Sequence, residues 1–511
     1  MFATGQGHVQ NVEYTHGYYG ELNPIRAAFV LAYAGYQSPS FGNACELGFG
    51  QGVSISIHSA AQGTEWWGTD FNPQHAAQAR SLSDSTSQAN RLDEQGFAEF
   101  CSRPDLPEFD FIGLHGVWTW ISTANQDVVI DFVRRKLRPG GVLYVSYNTF
   151  PGWADLAPIR QLFKEHVDRI GSPASPLFSR IDSSIAFLDQ LAAVDPFYLK
   201  AAPRAAERMK PLSTQNKNYL AHEYLTDHWN VTYYADFAQR MDAAKVGFAC
   251  SAHPLDGVDV INLTAEQQTL LGTLGDTNYR ESIRDFCVNQ QFRRDVWIKG
   301  ASRLNAVERI RAVRTQRIVL TIPRAEVVLK VAGALGEASL HPEVYGPLLD
   351  FLADGAVHTV AEVEAAGVGA GITSQKALSA IPILVGMGAV QVAQDPERVA
   401  AAAQACVRLN AKIMAQADVR PEITYLASPV TGGGFVVQRF EQMFLAAYLA
   451  GEQTPQAWAE QAWGRIAGVG QSLIKDGQTL LTAEENLAEL TRQAVVFGDL
   501  KLPILKSLGI A

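Results

Sequence analysis

A chain of 511 residues exceeds what one compact core can hold, so two or three domains are expected. An apolar fraction of 47% with 18% charged residues describes a globular chain that buries its own core, which excludes disordered and fibrous classes. The formal net charge of −10 argues against a general nucleic-acid binder, because binding to a phosphate backbone needs a cationic surface.

In chain order, the first thirty residues have no basic head ahead of an apolar run, so no secretory signal is expected. Tyr14, Tyr18 and Tyr19, before Asn23-Pro24, form an aromatic cluster that either covers a ligand or packs half-buried. Residues Asn43 to Gly52 read as a short buried strand running into a glycine-rich turn, with a helix from Val53. Gly48, Gly50 and Gly52 let the backbone turn tightly and approach a ligand closely. No Lys-Ser/Thr pair follows, which disfavours an ATP-type phosphate loop. The strand candidate Thr64 to Gly68 ends near Asp70, where an acid accepts hydrogen bonds from a ribose diol. That spacing suits a dinucleotide or an adenosyl cofactor.

Helices are predicted at Pro73 to Leu92 and Asn125 to Leu137, and strands at Gly96 to Phe100, Phe109 to His115 and Val142 to Ser146. This alternation predicts an α/β, doubly wound, mostly parallel sheet. Tyr147 and Asn148 end the fifth strand at the carboxyl edge, where open α/β sheets bind ligands, and are candidates to orient an acceptor. Five cysteines at irregular spacing, without a CxxC pair, indicate neither a disulfide framework nor a zinc ribbon. A reducing, cytoplasmic setting fits best. No run of eighteen apolar residues occurs, so no membrane span is expected.

The run Glu46-Leu-Gly-Phe-Gly-Gln-Gly52, with Asp70 after it and Arg138-Pro-Gly-Gly141 before the fifth strand, resembles class I S-adenosylmethionine-dependent methyltransferases. Leu114 to Ser122, Tyr147 to Trp153 and Tyr219-Leu-Ala-His-Glu-Tyr224 resemble the bacterial members that carry a methyltransferase regulatory domain. That group includes the rickettsial protein lysine methyltransferases. The resemblance covers roughly residues 14 to 300 and implies a Rossmann-like doubly wound sheet. Carried over position by position, it implies that Glu46, Gly48 and Gly50 form the cofactor turn. It places Asp70 on the ribose hydroxyls and Phe71, Glu99 and Phe100 beside the adenine. His115 and Trp118 then face the methionine moiety and the nucleophile, with Tyr19 as a cover. His222 and Glu223 fall in the regulatory segment, as a polar wall near the acceptor or as an ordinary helix surface. Phe49 departs from the family's usual small residue, and its ring packs under the turn or narrows the pocket. The final strands, the last antiparallel, are Val246 to Ser251 and Phe292 to Ile298, and residues 151–233 are a helical insertion that acts as a lid.

Beyond residue 304 the expected organisation is an accessory domain over 305–399 and a mostly helical region over 400–511, after a core at 1–150, the insertion at 151–233 and the last strands at 234–304. Arg293, Arg294, Lys299, Arg303, Arg309, Arg311, Arg314 and Arg317 crowd one stretch, either facing an acidic partner or making interdomain ion pairs. Strands around Pro323 suggest a hairpin, and 343–393 resembles a winged-helix-like module. Lys376 is its only Lys or Arg, which favours protein contact or a homodimer over DNA. Thr431 to Gly434 reads as a mobile glycine loop between helices at Asn410 to Asp418 and Val437 to Ala450. Trp458 and Trp463, five apart, pack separately on a third.

Methyl transfer from a sulfonium requires an aligned, desolvated acceptor and no metal. The predicted cofactor is S-adenosylmethionine. The residues placed around the reacting atoms are His115, Tyr147, Asn148 and His222. A protein lysine amine is the first expectation for the acceptor, ahead of a small-molecule or natural-product N- or O-methyltransferase. A non-catalytic adenosylmethionine-binding regulator is the reading from another class.

Overall fold

The structure is a computed structural model that describes residues 16–86, 90–170, 174–419 and 421–511, with the backbone alone of 4–5 and 8–9. Tyr14 lies outside the described residues. A seven-stranded sheet forms the centre, from β1 (Asn43–Leu47), β2 (Glu65–Asp70), β3 (Arg91–Glu94), β4 (Phe109–Leu114), β5 (Leu137–Asn148), β6 (Val246–Ser251) and β7 (Phe292–Lys299). Their spatial order is β3-β2-β1-β4-β5-β7-β6. The first five run parallel, with Glu46 opposite Gly68 on one side and Gly113 on the other. β7 lies antiparallel between β5 and β6. β1 and β4 are neighbours from the two halves of the sheet, so the strand order reverses between them and a crevice opens at their carboxyl ends.

Local chemistry sets the helices. Asn23, Asn72 and Ser122 cap the helices Pro24–Ala34, Pro73–Asp84 and Thr123–Lys136, each side chain accepting a first-turn N–H, and Pro24 and Pro73 occupy the first helical position. The third strand is displaced from its expected place. Arg91–Glu94 is the strand, and Phe97–Cys101 is a short helix started at Gly96, so the expected strand at Gly96 to Phe100 is corrected. Phe97, Phe100 and Cys101 are all buried on that helix, a spacing that fits one helical face and not a strand's alternation.

Every residue of the helix Val53–Gln62 is buried. Ser54 and His58 meet Tyr19 and Tyr18 of the N-terminal segment, while Val53, Ile57, Ala60 and Ala61 pack into the core of the C-terminal region. There Gln394 donates to the Ala61 carbonyl (2.6 Å) and Gln62 to the Gly432 carbonyl (2.6 Å).

After β5 the insertion folds around its own core of Phe163, Ile181, Leu188 and Leu220. Its helices include Ala157–Arg169, Leu177–Ala193, Pro203–Met209 and Lys217–Tyr224.

The distal half differs from expectation in three places. Arg317–Leu320 pairs with His358–Thr359 and Val390–Ala393, and Arg324–Glu326 is a single 3-10 turn, so no hairpin forms around Pro323. The strand Val390–Ala393, where Gly388 to Val392 is the candidate wing strand of the winged-helix-like reading, is bonded to that upstream strand, so the sheet beside helices Pro342–Phe351, Val360–Gly369 and Ser374–Gly386 is closed from the linker side. Thr431 to Gly434 is no mobile loop. It turns the hairpin Tyr425–Ser428/Gly433–Val436 and is buried against Tyr18 and Asn23. The helix before it runs from Pro396 to Ala415. Trp458 is buried between Tyr448 and Phe497, whereas Trp463 is half-buried elsewhere on the same helix.

The basic stretch makes ion pairs within and between these regions. Arg314 grips Glu364 (2.7 Å), Arg317 reaches Asp395 (3.0 Å), and Arg294 bridges Asp256 and Glu21.

Candidate active site

A pocket enclosing about 970 Å³, solvent at its mouth included, lies at the carboxyl edge of the sheet beside the β1/β4 switch. That is the size range of small-molecule sites. Gly48, Gly50, Asp70, Phe71, His75, Gln95, Gly96 and Phe97 line it from β1 to β3 and their loops. His115 to Val117, Trp120 and Ile121 follow β4, and Tyr219, His222, Glu223 and Thr226 come from the insertion.

The glycine turn is shaped for close approach. Gly48 has φ +79°, and a Cβ there would sit 2.6 Å from Val117 Cγ2. At Gly52, φ +75°, a Cβ would meet that of Ala79 at 2.3 Å, so the helix Val53–Gln62 can start only from a glycine. Asp70 ties the turn together. Its Oδ2 accepts from Gly50 N–H (2.9 Å), and its Oδ1 accepts from Asn72 N–H (2.9 Å) and lies 3.2 Å from His75 Nδ1. A carboxylate has about four lone-pair sites, so Oδ2, which has one partner, keeps capacity for one ribose hydroxyl. Glu46 is buried behind the turn. Burial, then the Asp70 charge, pushes its carboxyl well above the usual range, and its Oε2 has no partner among the described residues.

His115 forms the wall after β4. Its ring stacks on Tyr19 with centroids 3.9 Å apart, and its Nδ1 is 2.7 Å from the Tyr144 hydroxyl. Burial, then the opposed charges of Glu21 and Arg294, brings its pKa down to about 4, so the ring is neutral at physiological pH. Ser146 accepts from Gly116 N–H (2.8 Å) and bonds the Tyr144 hydroxyl. Assigning that hydroxyl as donor to Nδ1 leaves the imidazole proton on Nε2.

Of the residues singled out from the sequence, Gly48, Gly50, Asp70, Phe71, His115 and His222 converge on this pocket. Tyr19 backs it through His115, and Glu46 stands beneath the turn. Phe49 is buried against Gly68 and does not narrow the cavity. Asn148 is buried one step behind the lining, with its side chain hydrogen-bonded to Glu223.

Four expected residues lie elsewhere. Tyr147 points to the other sheet face, as strand alternation requires, where its hydroxyl donates to Asp295 (2.7 Å) and its ring stacks on Phe237. Trp118 is buried edge-on against Phe237. The 3-10 turn Trp118–Trp120 separates the two indoles, and Trp120 is the one that faces the pocket. Glu99 is exposed and Phe100 buried beneath, because the helix Phe97–Cys101 begins where a strand was expected. Gln95, Gly96 and Phe97 take their place. The signal for that shift was Leu92 between polar neighbours, the alternation of a short strand one turn earlier.

Glu223, expected with His222 either as a polar wall or as a helix surface, lines the pocket, whereas Tyr219 and Thr226 had no catalytic spacing to reveal them and are brought in by the insertion's fold. Burial pushes the Glu223 carboxyl up to about 7, while Arg160 and the Asn148 bond pull it down.

The family model described as a predicted methyltransferase regulatory domain matches residues 216–299, from the cap of the Lys217–Tyr224 helix to the end of β7. An uncharacterized protein of Synechocystis sp. is 35% identical over 512 aligned residues, 99% of each chain. An uncharacterized protein of Rickettsia prowazekii is 27% identical over 238 residues, 44% of this chain and 88% of its own. Among solved structures, PKMT2 from Rickettsia typhi, in complex with AdoHcy, shares the fold at a TM-score of 0.69 and 17% identity, over 95% of this chain and 98% of that one.

Proposed function

We propose that this chain, which belongs to the class I S-adenosylmethionine-dependent methyltransferases carrying a methyltransferase regulatory domain, binds S-adenosylmethionine in the switch-point pocket and methylates a nucleophile that enters beneath the insertion. The observation that carries this reading is the joining of the glycine turn to Asp70 within one pocket of flat apolar walls.

The residues fit the cofactor. A Cβ would fill the cradle at Gly48, and the remaining acceptor site on Asp70 Oδ2 suits a ribose hydroxyl. Phe71, Phe97, Val117 and Ile121 offer apolar walls for a purine, with Gln95 among them as a polar group. Bound there, the cofactor supplies an activated methyl carbon on a sulfonium and a thioether leaving group. The protein's part is alignment and desolvation. The neutral His115 presents its Nε2–H without adding charge beside a cation, and the insertion with Trp120 and Tyr219 keeps water from the acceptor's path.

For the acceptor, a protein lysine is the reading favoured by the likeness to PKMT2 and by the large insertion and distal domains, which a small acceptor does not require. Incubation with methyl-labelled S-adenosylmethionine and a cell proteome tests it. Label in methyl-lysine is expected, and label confined to small metabolites would overturn it.

A further inference from the structure

We propose that Glu223 is the carboxylate that receives a cationic amine acceptor and takes the proton the amine must lose, held for that task by Asn148 and by Arg160. This rests on the reading of the pocket as a methyl-transfer site.

Among the described residues, two carboxylates line the pocket together with no Lys or Arg. Asp70 is committed to the Gly50 and Asn72 amides and to His75. Glu223, on the insertion side, faces the remaining space with Tyr219, and Trp120 and Phe71 complete an aromatic surround. Aromatic faces beside a carboxylate attract an ammonium group through ring quadrupoles as well as charge. Arg160 favours the ionised acid through its charge without a direct ion pair among the described residues. Its nitrogens donate to the Thr226 carbonyl (3.0 Å) and the Glu223 main-chain carbonyl (3.4 Å), and its guanidinium lies over Trp229 at 4.5 Å. It fixes the segment that carries Glu223 and leaves the carboxylate to its Asn148 bond.

The raised pKa of Glu223 narrows the gap to a lysine ammonium, whose unperturbed pKa is about 10.4. In the proton step one N–H bond of the ammonium breaks and an O–H bond forms on Glu223. The bonding pair stays on nitrogen as the nucleophilic lone pair, and the carboxyl later returns its proton to water. The groups facing Glu223 are Arg160 from the helix Ala157–Arg169, Tyr219, His222 and Tyr224 from its own helix, and Asn148 from β5. Arg208 acts on the two tyrosines from Pro203–Met209, and His115 and Asp70 stand elsewhere on the pocket wall.

The test is a calorimetric or NMR titration of the full chain saturated with S-adenosylhomocysteine, using Nα-acetyl-lysine methylamide and its neutral isostere Nα-acetyl-norleucine methylamide. At pH 8 the lysine probe is expected to bind at least about tenfold more tightly. The preference should fade as pH drops through about 7, as Glu223 takes up a proton. Glu223→Gln should abolish both the preference and its pH dependence with S-adenosylhomocysteine affinity unchanged. Asn148→Leu, which removes a bond to the ionised acid, should move the midpoint upward. Equal binding of the two probes to the natural protein, or a preference intact in Glu223→Gln, would overturn the assignment of Glu223 alone. Failure of the natural protein to bind S-adenosylhomocysteine would remove the methyl-transfer reading itself, and this proposal with it.

Discussion

Tyr147 and Asn148 are adjacent on β5, yet one belongs to the core and the other stands behind the pocket. Tyr147 closes a buried cluster in which Arg293 meets Asp285, Asp295 and Glu281. Its hydroxyl supplies a hydrogen bond to the surplus negative charge, so Tyr147→Phe should cost about 1–3 kcal/mol in denaturant unfolding and leave cofactor affinity unaltered. A loss of affinity without a loss of stability would return Tyr147 to the acceptor site. Both residues were visible in the sequence as the end of a strand at the ligand edge, but which of them faces the ligand depends on register, and one residue of slip exchanges the faces. The glycine turn and Asp70 were legible because their chemistry is local. Glu223 was legible only as one of two alternatives, polar wall or helix surface, because its neighbours Asn148 and Arg160 lie on β5 and on another helix of the insertion.

At the scale of elements, the hairpin Tyr425–Ser428/Gly433–Val436 governs the cover of the pocket. A Cβ at Gly434 would stand 2.9 Å from the Tyr18 ring, and Tyr18 also packs on Tyr425 and bonds His58 (3.0 Å). Tyr19, the next residue, stacks on His115. Gly434→Val therefore should shift Tyr18, destabilise by about 1–3 kcal/mol and weaken cofactor binding several-fold through Tyr19. Thermal unfolding and titration check the two effects separately, and unchanged binding would detach the hairpin from the site. The sequence suggested a mobile glycine loop here because small residues without side chains to pack read as a linker. Their function is to admit Tyr18 and Asn23, which are distant in sequence. The same limit moved the third strand, where Phe97, Phe100 and Cys101 have helical spacing but form a run too short to fix its type before the neighbouring elements are in place.

At the scale of the molecule, the distal half buries one face of the helix Val53–Gln62, while Tyr18 and Trp66 enclose His58, whose pKa burial lowers to about 3. His58 and His115 are both neutral when folded and titrate near 6.5 when unfolded. Stability is thus complete above about pH 6.5 and falls as pH drops towards 4, by at most ~1.4 kcal/mol per pH unit for each ring. His58→Gln should flatten that slope in denaturant unfolding at pH 5 to 6, and an unchanged slope would place the acid sensitivity elsewhere. The parallel core was legible in its alternating pattern, whereas the closure of the distal sheet from the linker side was not, since strand pairing across seventy residues leaves no periodic trace. Among the described residues no helix is long and apolar enough to cross a membrane. Calorimetric titration with S-adenosylmethionine, beside NAD and with Asp70→Asn as the site control, tests the central claim most directly. Micromolar binding of S-adenosylmethionine, weakened about tenfold or more in the variant, is the predicted result. A folded protein that ignores S-adenosylmethionine, or prefers NAD, would contradict it.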